Sequence, residues 1–123
     1  MSLINPFTAT AADVQAQLAA GNTTTLELLD IYLNRIAKDN EYLKAVICTT
    51  PRQILEKRAK HLDVERASGK PCGPLHGIPI LLKDSIATHP SLGMDTTAGS
   101  LALVGSRPLQ HATIVQKLID AGL

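Results

Sequence analysis

A chain of 123 residues with 45% hydrophobic and 19% charged side chains has the size and composition of one folded domain, not of a disordered polypeptide. Its 12 basic and 11 acidic side chains leave a formal charge of +1 with no block of like charge, which argues against partners presenting a phosphate backbone or anionic lipid. Only Phe7, Tyr32 and Tyr42 are aromatic, too few for a base-stacking platform, and no apolar run approaches the ~20 residues of a membrane span.

Residues 1–21 lack the basic start and continuous apolar core of a secretory leader, so an intracellular, cytoplasmic protein is expected. The first element is a short alanine-rich helix over about 10–20, with Val14 and Leu18 four apart and Gly21 as its stop. Thr24 and Glu27 have capping-box spacing, and Leu26, Leu29, Leu33 and Ile36 recur at helical intervals, predicting a second helix over about 25–39. The β-branched run 43–48 is expected to be a strand, ended by Thr49, Thr50 and Pro51. A third helix over about 51–68 starts at Thr50 with Pro51 in its first position and stops before Gly69.

A Gly- and Pro-rich loop over 69–79 then leads into the apolar segment 78–83, expected to be a strand with both faces covered. A polar loop over 88–110, with one helical turn near 100–103, precedes a last helix over about 111–121 closed by Gly122. Helix, helix, strand, helix, strand, helix is an α/β order. A helix closed by glycine normally delivers the chain into another strand, so the architecture reads as incomplete, with open strand edges. Cys48 and Cys72, 24 positions apart, have neither a CxxC partner nor paired histidines, so free thiols are expected rather than a disulfide or a zinc site.

The segment Gly73-Pro74-Leu75-His76-Gly77-Ile78-Pro79-Ile80-Leu81-Leu82-Lys83-Asp84 and the later Gly93-Met94-Asp95-Thr96-Thr97-Ala98-Gly99-Ser100 together resemble the amidase signature family. The similarity extends over most of the chain, from the threonine-rich cap before Leu26 to the closing helix. It implies the N-terminal portion of a single amidase-signature domain, residues 1–123, built as part of a mixed sheet flanked by helices. Complete relatives are implied to hydrolyse carbon–nitrogen amide bonds with a serine nucleophile, a second serine in a cis peptide and a lysine, using no cofactor and no metal. Lys83 matches the lysine. A lysine serves as a base only when neutral, and apolar neighbours such as Ile80, Leu81 and Leu82 favour that form.

The two serines and the oxyanion donors belong, by the same resemblance, to a downstream Gly- and Ser-rich stretch with no match here. Ser85, Ser91, Ser100 and Ser106 do not stand in such a context. Ser85 also departs from the family, where asparagine is usual after Lys-Asp. Asp84, Thr96, Thr97, Gly99 and Ser100 are expected to line the substrate cleft, with a hydrogen-bonded turn as the alternative for the last four. His76 reads as a hydrogen-bonded structural histidine, with ligation or proton transfer as the rival role.

The chain is therefore expected to be a truncated amidase, inactive alone, whose complete relatives take small-molecule amides. A second reading is a non-catalytic module that pairs its open strand edges with itself or a downstream fragment. A third is a gene fragment without a stable fold.

Overall fold

A computed structural model describes residues 4–123. Four α-helices form the frame: α1 (Ala11–Ala19), α2 (Thr25–Leu43), α3 (Arg52–Ala67) and α4 (Thr113–Asp120). Two of them start on side-chain caps, and each stops on a local signal. At α1 the Thr10 hydroxyl accepts the Asp13 N–H while the Asp13 carboxylate accepts the Thr10 N–H, and Thr24 and Glu27 repeat that exchange at α2. The third helix differs from expectation, because Pro51 is its cap and no side chain satisfies its first turn.

Three helices end in the same way. Gly21, Gly69 and Gly122 adopt left-handed backbone conformations, and the N–H of each following residue bonds to a carbonyl five residues earlier: Asn22 to Gln17, Lys70 to Glu65 and Leu123 to Leu118. These are Schellman closures, in which glycine avoids the Cβ clash. The second helix has no glycine. It runs to Leu43 and ends on Lys44 at φ 48°, a conformation costing about 1–2 kcal/mol for a residue with a Cβ. Asn40 offsets that cost: its Oδ1 accepts the Ala45 and Val46 N–H groups at 2.9 and 2.8 Å, and its Nδ2 donates to the Val46 carbonyl at 2.8 Å.

The second and third helices pack together, and Asp63 of α3 reaches the start of α2 to accept the Thr25 and Leu26 N–H groups at 2.7 and 3.2 Å. A carboxylate there satisfies two orphan donors and faces the positive end of the helix dipole. Ile4, Val14, Leu18 and Leu28 form one buried cluster, with Ala9, Tyr32 and Ile78 packed against it. The last helix buries Val115, and its end is tied down by Arg58 donating to the Ile119 carbonyl at 2.7 Å and by the Gly77 N–H on the Gly122 carbonyl at 2.7 Å.

The expected α/β mixed sheet is not formed: among the described residues there is no strand. Leu43 belongs to α2, and 44–48 and 78–83 run as irregular segments without a ladder. The physical reason is that a strand exists only through its neighbour. The Ala45 and Val46 N–H groups are taken by Asn40, and those of Ile80, Leu81 and Leu82 meet no acceptor among the described residues. Nor is the apolar run covered. Leu81 is 71% exposed, Ile80 48% and Ile47 80%, so the pattern that predicts a doubly buried strand describes a preference the described residues leave unmet.

Candidate functional site

The two ladderless segments face each other across a cleft of about 430 Å³. One wall is 45–48, positioned by the three Asn40 hydrogen bonds at the end of α2. The other is 81–86, and Met94, Asp95, Ala98 and Gly99 complete the rim. Lys83 lies on this second wall with its side chain exposed, and its ammonium makes no hydrogen bond or ion pair among the described residues. Ile80 and Leu81, expected to cover this lysine, are themselves exposed.

Asp84 is the organising residue. Its carboxylate accepts the Thr97 N–H at 2.9 Å, the Thr97 hydroxyl, and the Gly99 N–H at 3.2 Å, while its carbonyl accepts the Ala98 N–H at 3.2 Å. Ala98 and Gly99 are both left-handed, at φ 49° and 76°, so a tight turn is folded onto one side chain. The Thr97 hydroxyl, followed by the Thr97 amide, holds the Asp84 carboxyl below the usual carboxylate range; burial opposes them, and the Gly99 amide adds the least. An acid kept ionised by three donors orients a loop and does not offer a proton.

The cleft candidates separate. Lys83, Asp84 and Gly99 line the cleft, and Thr97 braces Asp84. Thr96 turns towards the buried Thr88, accepting its N–H at 3.1 Å, and its carbonyl takes the Ser106 hydroxyl at 2.9 Å. Ser100 is exposed and bonds through its N–H to the Thr97 carbonyl at 2.9 Å as part of the turn. Among the serines, Ser85 borders the cleft, whereas the Ser91 hydroxyl sits 2.9 Å from His89 Nδ1 in a single-turn 3₁₀ helix, Pro90–Leu92.

His76 is fully buried, with Nδ1 accepting the Cys72 N–H at 3.1 Å and Nε2 2.8 Å from the Leu62 carbonyl. Cys48 and Cys72 are both free.

Sequence reasoning overlooked Asn40 and the whole 45–48 wall. An asparagine four residues before a left-handed lysine is a usable signal for a helix end, but nothing local announces that the released segment forms one side of a cleft. Among the described residues no helix is long and apolar enough to cross a membrane.

Comparison with known proteins gives a consistent result. A family model described as Amidase matches residues 27–123. One of the subunits of the glutamyl-tRNA(Gln) amidotransferase of Chloroflexus aurantiacus is 42% identical over 122 residues, covering 99% of this chain and 24% of that protein. Its counterpart of the same name in Thermobifida fusca is 37% identical over 113 residues, 92% of this chain and 22% of its own length. The solved structure of native peptide amidase from Stenotrophomonas maltophilia superposes with a TM-score of 0.84 at 46% identity, over 95% of this chain and 24% of that one. The chain thus spans about a quarter of the length of the relatives it matches.

Proposed function

Because this chain belongs to the amidase family, we propose that it carries the lysine-bearing portion of an amide-hydrolysing site and that, by itself, it does not turn over amides. The observation carrying this reading is the placement of Lys83 on a cleft wall, next to an aspartate that fixes the facing loop. Lys83 is assigned as the base that accepts, through a bridging serine, the proton of a serine nucleophile. Small amides are the substrate class, and hydrolysis breaks their C–N bond through an acyl-enzyme. Neither Ser85 nor Ser91 is assigned as nucleophile: among the described residues no base bonds the Ser85 hydroxyl, and Ser91 lies outside the cleft. Without nucleophile and oxyanion donors the acceleration falls by many powers of ten, since one oxyanion donor alone is worth roughly a hundred-fold or more.

The test has two arms. The purified chain should hydrolyse simple peptide amides no faster than buffer; turnover that disappears in Lys83→Ala would contradict the inactivity. Mixed with the remaining three quarters of a peptide amidase supplied as a separate chain, it should regain hydrolysis that Lys83→Ala abolishes. Regained hydrolysis indifferent to Lys83→Ala would refute the assignment of the base.

The exposed Ile47, Ile80 and Leu81 beside unbonded backbone N–H groups favour a second, non-catalytic reading. In it the chain docks these edges on a second polypeptide. Co-elution of the mixed chains in size-exclusion chromatography without regained hydrolysis is its expected signature, and separate elution rules it out.

A further inference from the structure

Away from the cleft, three side chains of metal-binding type converge where α3 ends. Glu65 is in the last turn of that helix, Cys72 is in the loop that follows, and His76 lies four residues further along. A carboxylate oxygen, the thiol sulfur and a ring nitrogen from these residues all lie within 4.8 Å of one another. We propose that Glu65, Cys72 and His76 form a zinc site, with solvent as the fourth ligand.

The histidine is prepared for this role. A carbonyl only accepts, so the 2.8 Å contact between Nε2 and the Leu62 carbonyl places the ring proton on Nε2 and a lone pair on Nδ1. Nδ1 is the nitrogen facing the cysteine loop, where it accepts the Cys72 N–H at 3.1 Å. A backbone carbonyl on the non-coordinating nitrogen is the support that fixes tautomer and ring orientation in histidine ligands. The ring is also immobile: it is fully buried, and Gly122 packs so closely that a Cβ there would lie 2.6 Å from Nδ1.

The other two ligands need small movements. Tetrahedral zinc, with Zn–S of about 2.3 Å and Zn–N or Zn–O of about 2.0 Å, sets its ligand atoms roughly 3.5 Å apart. The Cys72 sulfur already lies 3.9 Å from a Glu65 oxygen. The other Glu65 oxygen is 3.3 Å from His61 Nε2, a partner that holds the carboxylate in place. Cys72 is exposed, so an ion reaches its sulfur from solvent, and the Cys72 loop then has to move off Nδ1 for the buried ring to bind. One sulfur, one nitrogen and one oxygen make a borderline-soft set, which favours zinc over magnesium or calcium.

On binding, the Cys72 thiol releases its proton to water as the Zn–S bond forms. The metal replaces the Cys72 N–H at Nδ1, and that N–H turns to solvent. The ion would staple the loop that leads into the Lys83 wall onto the end of α3. The spacing of the three ligands, 65, 72 and 76, matches no short metal motif, which is why the sequence does not disclose them.

Cobalt(II) titration of the full chain tests the proposal. One equivalent should bind with a thiolate-to-cobalt absorption band that zinc displaces. The band should persist in Cys48→Ala and vanish in Cys72→Ala, and Glu65→Gln should weaken zinc binding roughly 10- to 100-fold. Because replacing the buried His76 endangers the fold, its part is read in the unmodified chain: zinc should shift the Nδ1 resonance of His76 in ¹⁵N spectra. Absence of the band, its survival in Cys72→Ala, or a shift at His61 with none at His76 overturns the site.

Discussion

The helical frame and the connecting segment 71–112 are held in different ways. In the frame, each helix carries its own stop, and two of the four carry a reciprocal cap, all within a few residues. In the segment, shape comes from side chains reaching across long stretches of sequence: Asp84 to 97–99, Asp95 to the Gly105 N–H, and His111 to the His89 N–H. Local chemistry builds a scaffold; distant hydrogen bonds aim a site. The frame should therefore fail cooperatively, and the segment should loosen piece by piece.

The contrast is broken most directly by emptying the core. Leu28→Ala removes a side chain with no exposed surface and should cost about 3–5 kcal/mol, read from the urea midpoint at constant m-value. Next comes Gly122→Ala, whose Cβ would meet His76 at 2.6 Å in a left-handed conformation at φ 87°. Strain and clash together predict a loss of roughly 2–3 kcal/mol by the same measurement. Thr24→Ala removes the cap of α2, where about 1 kcal/mol is expected and Thr24→Ser should recover most of it.

The smallest global effect and the largest local one belong to Asp84→Asn. The urea midpoint should hardly move, while amide exchange at Thr97 and Gly99 accelerates; equal protection in both proteins would show that the turn stands without its carboxylate. The same clamp can be released with acid. Since the folded carboxyl titrates below its ordinary value near 3.8, its contribution is fully present above that value and is lost as the pH falls through the lower folded one. Exchange at 97 and 99, corrected for its intrinsic pH dependence, should report the release.

These differences also mark what the sequence can disclose. Gly21, Gly69 and Gly122, and the pair Thr24 and Glu27, act within one turn, so inspection locates those helix ends. Lys44 escapes notice because its left-handed turn depends on a side chain, not on the absence of one. The strands expected at 43–48 and 78–83 fail for the opposite reason, since periodicity records what a segment favours and a ladder requires a partner. At the cleft, the motif singles out Lys83 and Asp84, and both lie on its wall. That Asp84 grips Thr97, 13 residues on, while the adjacent Thr96 faces away to Thr88, depends on how the loop returns, which spacing alone does not encode.

Asn40 turns the length of α2 into a ruler for the cleft. Inserting or deleting one residue between Thr24 and Asn40 turns Asn40 and the 45–48 wall it holds, as one unit, by about 100° and moves them about 1.5 Å along the axis, aiming that wall away from 81–86 while the local hydrogen bonds to Ala45 and Val46 survive. Length changes here are thus restrained by the aim of the cleft wall, whereas the exposed turn Leu101–Leu103 lies outside the cleft and has no wall to aim.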